Sequence, residues 1–103
     1  MKSDNPKKTK SFSERLKSAR IERGYTQREI ARYAGITERN YISYESGVRK
    51  PSFDTAIKIV LVLKVSLDYL AGLSEIYDLS EDAIENFKQS EREWYEDQFH
   101  SDY

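Results

Sequence analysis

Between Thr26 and Pro51 the chain reads TQREIARYAGITERNYISYESGVRKP, and the punctuation of this stretch leaves it little conformational freedom. Thr26 with Glu29 makes a capping box: the Thr hydroxyl accepts from a first-turn amide while the Glu reaches back to the cap amide. A short helical pattern follows, apolar at Ile30, Ala31 and Ala34. Gly35 supplies the left-handed conformation that ends a helix at low cost. After apolar Ile36, Thr37 opens a second helix that runs to about Ser46 and stops at Gly47. One capping box is common. The ordered set of cap, glycine, apolar residue, cap and terminal glycine is far more specific.

The flanking segments extend the same pattern. Phe12, Leu16, Ala19 and Tyr25 give the apolar face of a first helix from about Ser13 to Arg23, closed by Gly24. Gly47 to Pro51 is a loop, and Ser52 caps an apolar fourth helix from Phe53 to about Leu63, with Phe53, Ala56, Ile57, Val60 and Leu63 inward. Ser66 caps a short fifth helix, Leu67 to Ala71, ended by Gly72. No stretch alternates with period two for long enough to argue a strand, so the class is all-α. The expected core is Leu16, Ile30, Ala34, Ile36, Tyr41, Phe53, Ile57, Leu63, Val65 and Leu70, small enough to imply modest stability.

The formal net charge of −1 conceals an asymmetry. Residues 1–74 hold 15 Lys+Arg against 8 Asp+Glu, and residues 75–103 hold 2 against 10. A basic domain with an acidic extension is expected, and the whole-chain charge does not argue against a polyanionic partner. The division reads as a disordered basic arm over 1–11, a domain over 12–74 and an acidic extension over 75–103, helical at about 80–99. In that last helix Ile84, Phe87, Glu91, Trp94 and Gln98 mark a seam, widened by Tyr95 and Phe99, that needs a partner surface. The absence of cysteine excludes a disulfide framework and suits the cytoplasm; the longest apolar run, Ile59 to Leu63, is far too short to span a membrane.

Two short helices joined by a glycine-containing turn form a helix-turn-helix unit, whose second helix can enter the DNA major groove. Residues 12–73 resemble the phage-repressor-like helix-turn-helix family, which includes the lambdoid repressors and Cro proteins. The resemblance is carried by FSERLKSARIERGYTQREIA, AGIT, YESGVRKPSFDT and KVSLDYLAG. It implies a five-helix, lambda-repressor-like DNA-binding bundle, to which the acidic amphipathic helix is an addition. It also implies a homodimeric regulator of transcription, most naturally a repressor of a phage, mobile-element or bacterial operon, acting on a palindromic double-stranded operator.

Candidate residues follow from the motif and from the resemblance. Thr37, Glu38, Arg39, Asn40 and Ser43 lie on the solvent side of the third helix, where a recognition helix presents side chains to base edges. Arg39 suits guanine O6 and N7; Asn40 suits adenine or a phosphate; Glu38 either accepts from cytosine N4 or orients Arg39 and the helix start. Ile42 either meets a thymine methyl or is partly buried. The resemblance gives Gln27 a phosphate beside the second helix's N-terminus, where backbone amides favour an anion. Val48, Arg49 and Lys50 in the loop, and Arg23 at the end of the first helix, are further phosphate candidates. Arg20 and Glu45 match a family ion pair of structural role. Leu61, Leu67 and Tyr69 match the family's dimer interface, which Trp94 would extend.

No cofactor or metal is implied. His100 and Glu96 have a metal-like spacing but read as solvated residues of an acidic tail, and no nucleophile, base or phosphate-binding glycine loop can be assembled. The chain therefore does not read as an enzyme. The alternative function is a protein-interaction module, such as an antitoxin or anti-repressor partner, acting through the acidic aromatic helix.

Overall fold

The computed structural model describes residues 11–100, with side chains described as far as Glu91. Residues 1–10 of the arm expected over 1–11, and the side chains of Trp94, Tyr95, Gln98 and Phe99, lie outside the described residues, while Ser11 caps α1. Six helices follow in order: α1 (Phe12–Arg23), α2 (Gln27–Ala34), α3 (Glu38–Ser46), α4 (Phe53–Leu63), α5 (Leu67–Ala71) and α6 (Glu81–His100). The class is all-α; among the described residues the sole β-type pairing is an isolated bridge between Val65 and Asp78.

Local chemistry sets the helix ends. Glu29 N donates to Thr26 Oγ1 at 3.0 Å and Thr26 N to Glu29 Oε1 at 2.9 Å, which closes the box before α2. A second box, not anticipated, starts α1 one residue early: Glu14 N donates to Ser11 Oγ and Ser11 N to Glu14 Oε1. Thr37, Ser52, Ser66 and Ser80 accept from later first-turn amides at the starts of α3 to α6. The first, second, third and fifth helices end on left-handed glycines. At the end of α4 Lys64 takes that role, with φ 57°. A side chain there is strained relative to glycine.

α2 packs on α3 and α4, while α1 lies across α3, α4 and α5. Leu16, Ala19, Ile30, Tyr41, Ile59, Leu63, Val65 and Leu70 form the centre of the core, each within 1% of full burial. A fully buried Leu or Ile of this kind contributes about 2 kcal/mol. Two expectations for α4 need correcting. Phe53 is 69% exposed and Ile57 only half-buried, whereas Ile59 is buried. The inward stripe is Ala56, Ile59, Val60 and Leu63, rotated from the expected one. Because residues 59–63 are apolar all round, periodicity cannot choose the face; packing against α2 and α1 does. Ile36 is likewise half-buried, resting against the core rather than inside it.

After α5 the chain doubles back as a strap, residues 75–79, against the α4–α5 turn. Ser66 N donates to Tyr77 O at 2.8 Å and Leu79 N to Lys64 O at 3.0 Å. The expected boundary after Ser74 falls just ahead of this fastening. Arg23 secures it: its guanidinium donates to Leu63 O at 2.8 Å, to Lys64 O at 2.9 Å and to Asp78 at 2.7 Å, and lies 4.9 Å from the Tyr77 ring centroid. Tyr69 meets the Tyr77 ring edge-on at 4.9 Å, and Arg15 lies over Tyr69 at 4.8 Å. Replacing Arg23 with alanine is expected to loosen the strap without melting the bundle. Hydrogen exchange should speed up at the Ser66 and Leu79 amides while α2 and α3 stay protected. Unchanged exchange at both would mean that the strap does not depend on Arg23.

α6 starts from the strap and leaves the bundle, and no other helix packs extensively on it among the described residues. Ile84 and Phe87 are half-buried at its base.

Candidate nucleic-acid interface

One carboxylate organises the helices that frame the site. Glu45, near the end of α3, has a side chain only 3% exposed. It accepts from Arg20 Nε at 2.6 Å, Arg20 Nη2 at 3.2 Å, Tyr41 OH at 2.6 Å and Gln27 Nε2 at 3.1 Å. Arg20 also donates to Tyr25 O at 2.9 Å. The end of α1, the first residue of α2 and both halves of α3 thus meet at a single group. Burial alone would raise the Glu45 carboxyl, but donors from Arg20, Tyr41 and Gln27 and the charge of Arg20 outweigh it and hold it below its ordinary value. The Glu45 hydrogen bond raises the Arg20 guanidinium further, and burial followed by the Glu45 carboxylate pushes the Tyr41 phenol up. Tyr41 has a polar role that the sequence reading placed only in the core; its i, i+4 relation to Glu45 is the signal that was available.

This network sets the orientation of α2 against α3, and hence the outward face of α3. Thr37, Glu38 and Arg39 are exposed, while Asn40 and Ser43 are half-buried. Thr37 Oγ1 accepts from Asn40 N at 3.1 Å. Ser43 Oγ donates its hydrogen to Asn40 O at 2.6 Å, leaving lone pairs, so the hydroxyl is available outward as an acceptor. Glu38 is acceptor-only and Arg39 donor-only, so the face carries both signs of the hydrogen-bond code. Ile42 is 41% exposed beside them.

Gln27 stands at the start of α2, with one N–H committed to Glu45 and the amide held in place. Beyond α3, Arg49 and Lys50 are exposed basic residues of the loop. Two of the phosphate candidates are otherwise engaged. Val48 has its amide donated to Ser43 O at 3.1 Å, as does Arg49, so these backbone groups cap α3 and are not free for an anion. What Val48 exposes is an apolar side chain, 76% accessible. Arg23 donates through Nε and Nη2 to the α4 terminus and the strap, as described above. Carbonyls at a helix end lack intrahelical partners, and Arg23 donates to two of them at the end of α4.

The dimer candidates divide similarly. Leu61 and Leu67 are half-buried, and the ring of Tyr69 is largely used within the chain by Tyr77 and Arg15. No group of acidic, His or Cys side chains among the described residues has the arrangement of a metal site, and no described helix is long and apolar enough to cross a membrane.

The helix-turn-helix (HTH_3) family model matches residues 16–70, over half of the chain. A prophage-derived helix-turn-helix transcriptional regulator of Bacillus subtilis, YonR, is 41% identical over 71 residues, covering 68% of this chain and 66% of that protein. The transcriptional regulator ImmR of the same organism is 40% identical over 76 residues, covering 74% and 60%. The matched region is thus under two thirds of each relative. Among solved structures, the P22 c2 repressor in complex with a synthetic operator superposes with a TM-score of 0.60 at 20% identity, covering 64% of this chain and all of that one. At such identity the likeness speaks for the fold. Both relatives are named as transcriptional regulators. From its caps to its core, and over residues 16–70 by direct match, this chain belongs to the helix-turn-helix family, with the phage-repressor fold.

Proposed function

We propose that the protein is a sequence-specific double-stranded DNA-binding regulator of transcription, of repressor type, working in the cytoplasm. The observation that carries this is the exposed start of α3, where Thr37, Glu38 and Arg39 stand clear of the bundle, flanked by Gln27 and the basic pair Arg49 and Lys50. A helix presented this way fits the major groove with its first turns toward base edges, and its neighbours meet phosphates on either side. In this reading Glu38, Arg39 and Ser43 face bases, with Thr37 beside them. Gln27, Arg49 and Lys50 hold the backbone. One such helix covers a half-site, so a homodimer on a palindromic operator follows. Leu61, Leu67 and the α6 seam that includes Trp94 are the surfaces assigned to it.

The names of the relatives support a regulatory role, and the P22 c2 repressor is seen with an operator. Fluorescence anisotropy on random and selected duplexes tests the proposal. Six or more neutralised phosphates per complex should cut affinity by about a thousandfold or more between 50 and 200 mM salt. Binding that does not respond to salt, or no binding to any duplex, would sink the reading. Sedimentation with a palindromic site tests the dimer: a persistent complex of one chain per operator would rule it out.

A further inference from the structure

At the base of α6 the bundle and the strap flank an open cleft of about 400 Å³, at the lower end of the size of small-molecule sites. Two separate parts of the chain make it. One side is bundle: the half-buried Tyr25 and Val62, and the end of α4 at Lys64. The other is the strap and the first turn of α6: Asp78, Leu79 and Glu81. Arg23 joins the two sides, bound through Nε and Nη2 to the α4 carbonyls and Asp78, which leaves the N–H groups of Nη1 unused. Among the described residues, no hydrogen bond or ion pair engages the Lys64 ammonium or the Glu81 carboxylate. Lys64 also stands where four other helices end on glycine, so its side chain is carried at a backbone cost.

We infer that this cleft is an effector site for a free apolar amino acid, whose binding fastens the strap, and with it α6, to the bundle. The cleft sets two cations and two carboxylates beside an apolar surface of Val62, Leu79 and the Tyr25 ring, and their charges cancel. A ligand of one charge answers only half of these groups. A small zwitterion answers both: its carboxylate suits Lys64 and Arg23 Nη1, and its ammonium suits Glu81 and the second oxygen of Asp78. An apolar side chain then covers the remaining wall. A peptide terminus, with one charge, matches less well. Because the occupant touches bundle and strap together, it binds the fastened form better than the loosened one and shifts the balance toward it. No residue of α3 or of the loop after it lines the cleft, so the site stands apart from the proposed DNA face.

The test is calorimetry on the full chain with leucine as the probe, beside N-acetylleucine and leucinamide, which lack the ammonium and the carboxylate respectively. Leucine should bind once per chain with a dissociation constant of about 1 mM or tighter, the range open to a ligand of so few atoms. Each analogue should bind about tenfold weaker or worse, having lost one set of charge-assisted bonds. Lys64→Gly removes the ammonium and suits the left-handed backbone, so this variant should fold. Glu81→Gln keeps the shape of an exposed side chain and removes its charge. Both variants should bind leucine about tenfold weaker. Hydrogen exchange at the Leu79 amide, which donates to Lys64 O, should slow in saturating leucine for wild type and not for Lys64→Gly. Absence of saturable leucine binding, analogues that bind as well as leucine, variants that bind it undiminished, or unaltered Leu79 exchange in the saturated protein would each overturn the inference.

Discussion

Glu45→Ala is expected to be the most damaging single substitution in the chain, lowering stability by about 3–5 kcal/mol. The side chain is 3% exposed, so solvent does not screen the loss. Its removal strands the Arg20 guanidinium, which is itself only 13% exposed, and leaves the Tyr41 hydroxyl and the Gln27 amide without their acceptor. For a domain of this size each kcal/mol shifts the melting temperature by about 4–8 °C, so the midpoint should fall by roughly 15 °C or more. A circular-dichroism melt reads this directly. Replacing Arg20 and Glu45 together by leucine should restore part of the loss, because an apolar pair leaves no buried charge unmatched. The same group sets a pH dependence. Its carboxyl is depressed in the fold, so its contribution is complete above the ordinary carboxylate value and disappears as pH falls through the lowered one. Glu45→Gln should flatten that acid limb. A Glu45→Ala midpoint within a few degrees of wild type would show that the network holds nothing together.

Arg39→Ala is expected to change what is bound more than whether anything is bound. Arg39 is exposed in the first turn of α3, free to place two donors on guanine O6 and N7. Its removal should cost about 1–3 kcal/mol on the preferred duplex and relax selection at the corresponding base pair. Gln27→Ala supplies the contrast. Gln27 is anchored by Glu45, and the proposed reading gives its second N–H a phosphate, so its loss should weaken all duplexes alike. Selection on a randomised library distinguishes the two. A uniform loss for Arg39→Ala would remove Arg39 from the base-reading set.

Much of the fold was legible because its helix ends are written in single residues. Thr26, Thr37, Ser52, Ser66 and the four glycines mark boundaries that the structure reproduces to within a residue or so. What could not be read was orientation where the pattern saturates. In α4 nearly every face is apolar, so Phe53 was expected inside and Ile59 was overlooked. The strap escaped for the opposite reason: one bridge and two backbone bonds leave no periodic trace. Within the site, residue type and helical register placed the exposed α3 residues. They did not reveal which donors were already in use. The guanidinium of Arg23 is engaged by carbonyls 40 and 41 positions on, brought close only by the folded chain.

The strap has a consequence for the order of events during synthesis. Arg23 and Asp78 are 55 positions apart, and the carbonyl of Leu63 is 40 positions from Arg23. The last core residue, Leu70, precedes Asp78 by only eight positions, which translation at about 5–20 residues per second covers in roughly 0.4 to 1.6 seconds, still longer than a small helical bundle needs to collapse. The helices that frame the α3 face are all made before then. Folding in the order of synthesis would therefore assemble the α3 face first and close the clasp last, with Arg23 able to meet the α4 carbonyls before Asp78 is made.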